Sequence, residues 1–245
     1  MRPLRSVLLF TTPRSGSTLL CTLLRDADVA GRPESWFRTQ NRAEFAAGWG
    51  LPPEPAFADY LQAAIRAGQS PNGTFGLRMM ANNLSELVGD LAGIYGSAPD
   101  PALLGLAFGD IFYVRLKRRD TVAQAVSRYR AEASGLWHRN NDDSPRELFG
   151  DAPKSVTYDA STIAAHLAEI EALDAQWDRW FVTHKITPLF VTYETLSADP
   201  AATARKLFED LGQTATSPVR PGTAKLADAE SANWIARFRH ETGRF

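Results

Sequence analysis

The sequence predicts an α/β fold, a three-layer sandwich built on a central parallel sheet. Two observations carry the prediction. Short apolar runs, "SVLLFT", "IFYVRL" and "PLFVTY", recur through the chain without polar alternation, as expected of strands buried on both faces. Between them lie longer segments whose apolar residues repeat at helical spacing, and strands alternating with helices call for parallel strands with right-handed crossovers.

The first strand is read at Ser6 to Thr11 and the helix after its loop on the stripe Leu19, Leu20, Leu23 and Leu24. "GRPESWFR" (Gly31 to Arg38) breaks that pattern, and residues 39–55, dotted with glycine and proline, are expected to be irregular. "FADYLQAAIRAG" forms an amphipathic helix stopped by Gly68. "GTFGLRMM" (Gly73 to Met80) is a strand, followed by a helix through Leu84, Leu87, Val88 and Leu91. "IFYVRL" (Ile111 to Leu116) is the second core strand, and it runs through "KRRD" into a helix carrying Val122, Ala125, Val126 and Tyr129. The polar, turn-rich stretch Asn140 to Ser155 reads as a loop or lid. A long helix spans Ser161 to His184, "PLFVTY" is a further strand, and "DPAATARKLFEDLG" has Asp199 as cap, Pro200 at the first helical position and Gly212 as stop.

Composition narrows the function classes. At 245 residues a single domain is expected, and 44% hydrophobic residues supply its core. A formal net charge of -1 argues against bulk nucleic-acid binding. The single cysteine, Cys21, excludes an internal disulfide framework and fits a reducing cytoplasm. No run approaches the roughly 20 apolar residues that span a bilayer. The expectation is a cytoplasmic protein with no integral membrane segment and no nucleic-acid partner.

In open α/β sheets ligands bind beyond the carboxyl ends of the strands. Both "PRSGST" and "KRRD" follow strands there. The first is P-loop-like: a strand enters a helix through small residues, so backbone N–H groups and the positive end of the helix dipole converge on one anion. Gly16 permits close approach, Ser15, Ser17 and Thr18 add hydroxyls, and Arg14 offers a planar guanidinium for an oxyanion. A nucleotide-hydrolysing P-loop requires lysine before its Ser/Thr, whereas Ser17 precedes Thr18 here. Around "KRRD", Arg115, Lys117, Arg118 and Arg119 also suit a solvated charge run, the reading preferred for Arg115 and Lys117, with Asp120 as a helix cap.

"PRSGSTLL" resembles the 5′-phosphosulfate-binding loop of sulfotransferases that use 3′-phosphoadenylyl sulfate (PAPS). With "DVAGRPESWF", "PNGTFGLRMM", "KRRDTVAQAVSRYRA", "GLW" and "NWIARFR", the chain is similar over almost its whole length to the bacterial trehalose 2-sulfotransferase family. The resemblance implies that Arg118, at a strand end, and Ser127, on the next helix, bind the 3′-phosphate of PAPS. Arg119 and Lys117 stand in if the register is one residue off. It implies a Tyr–Glu pair at "VTYETL", where Tyr193 either approaches the adenine or packs. It also suggests a homodimer and a small acceptor such as a sugar or glycolipid.

Sulfuryl transfer is in-line displacement with charge spread over three equatorial oxygens, by analogy with phosphoryl transfer. Arg14 is expected to neutralise charge on the departing 3′,5′-bisphosphate (PAP), and no ligand cluster in the sequence calls for a metal. Glu34, after Pro33 in a loop from the anion-site helix, is the expected general base, with His138 the other candidate. The family pattern G-x-P-x-E-[FY]-F has its base at the fifth position, which is Ser35 here. A one-residue offset is absorbed in an irregular loop but reverses the side chain along a strand. Trp36, Phe37, Arg38 and Trp137 are the acceptor-site candidates. The competing readings are a P-loop kinase or NTPase, and a non-catalytic PAP-binding protein that has lost its base.

Overall fold

The computed structural model describes residues 3, 5–139, 145–148, 154–215 and 228–244. Its centre is a four-stranded parallel sheet of β1 (Arg5–Thr11), β2 (Phe75–Met80), β3 (Asp110–Lys117) and β6 (Leu189–Thr192), in the order β2-β1-β3-β6. Strand β1 shows why its sequence lacks polar alternation. Val7 and Leu9 enter one hydrophobic cluster and Leu8 and Phe10 another, because helices cover both faces.

The cluster around Leu8 and Phe10 is covered by α3 (Phe57–Gly68), α4 (Leu84–Tyr95), α5 (Asp100–Phe108) and the long α7 (Ala160–Thr183). Phe10 is ringed by Tyr113, Trp177, Trp180 and Phe181, with centroids 4.8–5.7 Å away. The opposite face is covered by α1 (Ser17–Ala27), α8 (Tyr193–Ala198) and α9 (Pro200–Asp210). A third cluster joins α6 (Thr121–Ser134), α7 and α10 (Ala229–Thr242) through Val126, Ile163, Ile170, Trp234 and Phe238.

The strand order positions the site. From β1 the chain passes to β2 on one side, then returns across β1 to β3 on the other. The loops leaving β1 and β3 therefore diverge, and a crevice opens beyond their carboxyl ends.

Several expectations need correction. Residues 39–55 are not irregular throughout: Thr39–Gly48 forms α2, because "RAEFAA" is a run of good helix formers and the glycines and prolines only follow it. Helix α5 has Pro101 in its first turn and was hidden by the apolar composition of both its faces. The strand in "PLFVTY" ends at Thr192, whose side chain caps α8 by accepting from the Thr195 N–H, so Tyr193 opens a helix. The stretch read as a lid, 140–155, lies largely outside the described residues. Within it 145–148 forms β5 (Pro145–Leu148), antiparallel to β4 (Leu136–Arg139).

The largest correction concerns Arg115. It is no part of a solvated charge run: its side chain is 1% exposed and donates from Nη2 to Asp174 Oδ1 of α7 at 2.6 Å. Thr12, just past β1, donates to the same oxygen at 3.3 Å. Gln124 of α6 donates to the Thr12 hydroxyl and to the Pro13 carbonyl, at 3.1 and 2.6 Å, and the Trp177 indole donates to the Thr11 carbonyl at 2.9 Å. The end of β1 is thus clipped to two helices distant in sequence.

Asp174→Ala leaves the buried Arg115 with only the half-exposed Asp178, 3.7 Å from its Nε, and is expected to cost about 3–5 kcal/mol, whereas Arg115→Met with Asp174→Leu should recover most of that loss. Urea unfolding midpoints of the three proteins check this.

Candidate active site

The crevice is a cavity of about 610 Å3 lined by Arg14, Gly16, Ser17 and Thr18 from the first loop and helix, by Arg118 and Ser127 from the β3–α6 turn and α6, and by Tyr193 from α8. All but one of the residues expected to bind the donor therefore share one cavity.

The backbone of the loop turns sharply into α1. Arg14 has φ 62 and Gly16 φ 88, so two residues in three adopt the left-handed region just before α1 begins at Ser17. Glycine is required at position 16 on two grounds: its φ, and a Cβ there would lie 2.6 Å from Tyr193 Cδ2. Ser15 is the exception among the loop residues. It is fully buried, donates to the Thr12 carbonyl at 2.8 Å and shares a 2.5 Å hydrogen bond with Thr11, so its hydroxyl shapes the loop and does not line the cavity.

The two expected phosphate sites touch. Arg14 donates from Nε to Ser127 Oγ at 3.1 Å and from Nη1 to the Trp137 carbonyl at 2.5 Å, with its guanidinium 6.0 Å from the Trp137 ring. Arg118 stacks 4.5 Å above the Tyr193 ring, which itself abuts Gly16. Burial pulls the Arg118 guanidinium below its ordinary pKa, while Tyr193, Asp120 and Glu194 act against that shift. Its Nε is buried and has no hydrogen-bond partner among the described residues. Lys117 turns instead to Asp178 at 3.1 Å, and the Arg119 and Asp120 backbone N–H groups donate to the Glu194 carboxylate at 3.1–3.3 Å. Asp120 caps α6 by accepting from the Ala123 N–H at 2.9 Å and pairs with Arg239 of α10 at 2.8 Å. These bonds fix the turn that presents Arg118.

The acceptor candidates divide. Arg38 and Trp137 line the cavity. Phe37, 2% exposed, packs among Phe57, Tyr60 and Phe108. Trp36 stands against Phe45 and Trp49 and donates to the Gly76 carbonyl at 3.0 Å. Both are core aromatics and not walls of the cavity, because 31–37 is laid against β2 and turns those rings inward.

The same packing decides the one-residue offset. Glu34 forms a parallel bridge with Leu77, and the Arg78 N–H donates to the Glu34 carbonyl at 3.0 Å, so the segment runs as an extended chain beside β2. Gly31 and Gly76 allow this: a Cβ on Gly31 would lie 2.2 Å from Gly76 N. In an extended chain neighbouring side chains diverge, and Ser35 lines the cavity while Glu34 does not. The Glu34 carboxylate, 41% exposed, folds back to accept from the Ser35 N–H at 2.8 Å and pairs with Arg78. His138 lies on β4.

Arg78 is the residue that sequence reasoning missed. It is 17% exposed, lines the cavity and contacts Ser35, Thr18 and Glu34 together. The available signal was a lone arginine near the carboxyl end of an apolar strand, the same signal that Arg115 gives in "IFYVRL".

Residues 6–241 match the Stf0 sulphotransferase family. Trehalose 2-sulfotransferase of Mycolicibacterium smegmatis is 29% identical over 264 residues, covering 97% of this chain and 95% of that protein. The trehalose 2-sulfotransferase of Mycobacterium tuberculosis is 26% identical over 267 residues, covering 99% and 97%. A solved sulfotransferase from Alicyclobacillus acidocaldarius aligns over 100% of this chain and 97% of that one at 13% identity, with a TM-score of 0.46.

Gly16→Ala forces a Cβ into the left-handed region and against Tyr193. It should lower unfolding free energy by about 1–3 kcal/mol, read by urea titration.

Proposed function

Because the chain belongs to the Stf0 sulphotransferase family, we propose that it transfers a sulfuryl group from PAPS to a hydroxyl of a carbohydrate or glycolipid acceptor and releases PAP. PAPS supplies an activated sulfuryl group on a phosphate leaving group. What the protein adds is two phosphate sites at a fixed separation, a shielded place between donor and acceptor, and a base.

The observation that carries the reading is Arg118: a largely buried arginine whose Nε–H has no partner among the described residues, set in the same cavity lining as Ser127 and stacked on Tyr193. A buried donor without an acceptor is costly, and an anion at this place satisfies it. An ordinary adenine nucleotide has no phosphate on its 3′-hydroxyl, whereas PAPS and PAP do. The residues present suit that donor set. Gly16, Ser17 and Thr18 with the α1 N-terminus take the 5′-phosphate end, Arg118 and Ser127 take the 3′-phosphate, and Arg14, anchored on Ser127, links the two.

We assign the base role to Glu34, whose carboxylate leaves the cavity wall to Ser35 but meets the cavity through Arg78, the lining residue it pairs with. Its Oε1 is held by Arg78 and the Ser35 N–H, while Oε2 accepts no hydrogen bond among the described residues. The carboxylates that do line the cavity, Glu132, Glu169 and Asp228, are engaged by Arg128 and Arg130. The sugar acceptor is supported by the relatives named trehalose 2-sulfotransferase and by the cavity's mixture of Trp137 with polar side chains. Ser35 in place of the family's glutamate leaves room for an acceptor other than trehalose.

Calorimetric titration with PAP, beside ATP–Mg2+, tests the donor. PAP should bind more tightly than ATP. Arg118→Ala should weaken PAP by about 10–100-fold, the value of a charge-assisted hydrogen bond, and Glu34→Gln should leave PAP binding intact while lowering turnover about 100-fold or more. Equal binding of ATP and PAP, or an Arg118→Ala variant indistinguishable from wild type, would overturn the donor assignment.

A further inference from the structure

We propose that Arg78 is a catalytic residue that grips the sulfuryl oxygens of the donor and couples them to the base. The inference rests on the sulfuryl-transfer reading above and adds to it a residue outside both phosphate sites.

Arg78 stands in β2, opposite Leu9 of β1, where its neighbours Leu77 and Met79 are core residues. A charge in such a strand is costly unless it is paired and hydrogen-bonded. Its guanidinium donates from Nε to Ser35 Oγ at 2.9 Å, from Nη1 to Thr18 Oγ1 at 3.3 Å and from Nη2 to Glu34 Oε1. A guanidinium has five N–H donors, so two remain after these contacts.

Electrostatics gives those donors a target. Thr18 is the second residue of α1, so the guanidinium sits at the positive end of the helix dipole, on the same side as the N–H groups of the loop. A cation at that place is repelled by the helix terminus. Glu34 is its one paired carboxylate among the described residues. An anion held between the loop and Arg78 removes the conflict, and the group that extends beyond the 5′-phosphate of PAPS is the sulfuryl group.

The contact to Glu34 gives the reaction a link between its two ends. The acceptor oxygen bonds to sulfur as the bond from sulfur to the 5′-phosphate oxygen breaks, and that bond's electron pair stays on the phosphate. The acceptor's hydroxyl proton passes to the Glu34 carboxylate. On protonation Glu34 loses its charge and with it most of its hold on Arg78, so the guanidinium's positive charge is released toward the sulfuryl oxygens.

Binding and turnover separate this role from a structural one. Arg78→Lys and Arg78→Gln would be titrated with PAP and, without acceptor, with PAPS. Sulfate transfer from labelled PAPS would be followed with trehalose present, and release to water followed in its absence. PAP affinity should stay within about threefold of wild type, PAPS affinity should fall about tenfold, and transfer or release should fall about 100-fold or more. Equal losses of PAP and PAPS affinity would show that Arg78 only shapes the loop, and an unchanged rate would show no role in the step; either result overturns the proposal. Failure of the wild-type protein to bind PAP would instead remove the donor reading, and this inference with it.

Discussion

The ion pair between Arg115 and Asp174 is the constraint on which the site depends. Three segments far apart in sequence meet at one Asp174 oxygen: β3 through Arg115, α7 through Asp174 and the end of β1 through Thr12. A buried ion pair repays its desolvation only with good geometry and further hydrogen bonds. Here they come from Thr12, from Gln124 bridging Thr12 and Pro13, and from the Leu116 carbonyl, which accepts from Arg115 Nη1 at 2.8 Å. The pair lies directly beneath the loop. Its consequence is that Pro13 to Ser17 leave a β1 terminus held from below by α6 and α7, in a conformation that the positive φ of Arg14 would otherwise make costly.

Above that support the site is assembled from arginines, each steadied by a different neighbour. Arg14 rests on Ser127 and the Trp137 carbonyl, Arg118 on the Tyr193 ring, and Arg78 on Ser35, Thr18 and Glu34. The turn carrying Arg118 is itself tied by Glu194, one residue beyond Tyr193, so a single short helix supplies both the ring beneath the guanidinium and the carboxylate that holds its backbone. Two further arginines of the lining, Arg128 and Arg130, are neutralised by acids of α6, α7 and the start of α10. The cavity lining therefore combines arginines steadied by uncharged groups with arginines already neutralised by carboxylates.

The legible parts of this arrangement were local. The strand–loop–helix at Val7 to Leu24 and the strand–turn–helix at Ile111 to Tyr129 each announce themselves through contiguous residues, and both reach the cavity in the expected register. What was not legible depended on contacts across the fold. Helix α2 was obscured by the glycines and prolines after it, and Trp36 and Phe37 read equally well as sugar-binding or core rings until β2 was seen to lie alongside them. The Glu34/Ser35 alternative turned on whether 31–37 is irregular or extended. The bridge to Leu77 settles that point: the segment is extended, and parity sends Ser35 to the cavity.

The sequence by itself determined the parallel α/β class, the strand–loop–helix at Val7 to Leu24 and the arginine-bearing turn, because strand burial, helix dipole and glycine φ are properties of short contiguous stretches. Only the tertiary structure decided which charges are solvated and which are buried. Arg115 and Arg78 each look like a stray cation in an apolar strand, and their partners Asp174 and Glu34 lie 59 and 44 residues away. Charge placement is a long-range property of the fold: the energy of an ion depends on what surrounds it, and sequence spacing alone does not report those surroundings.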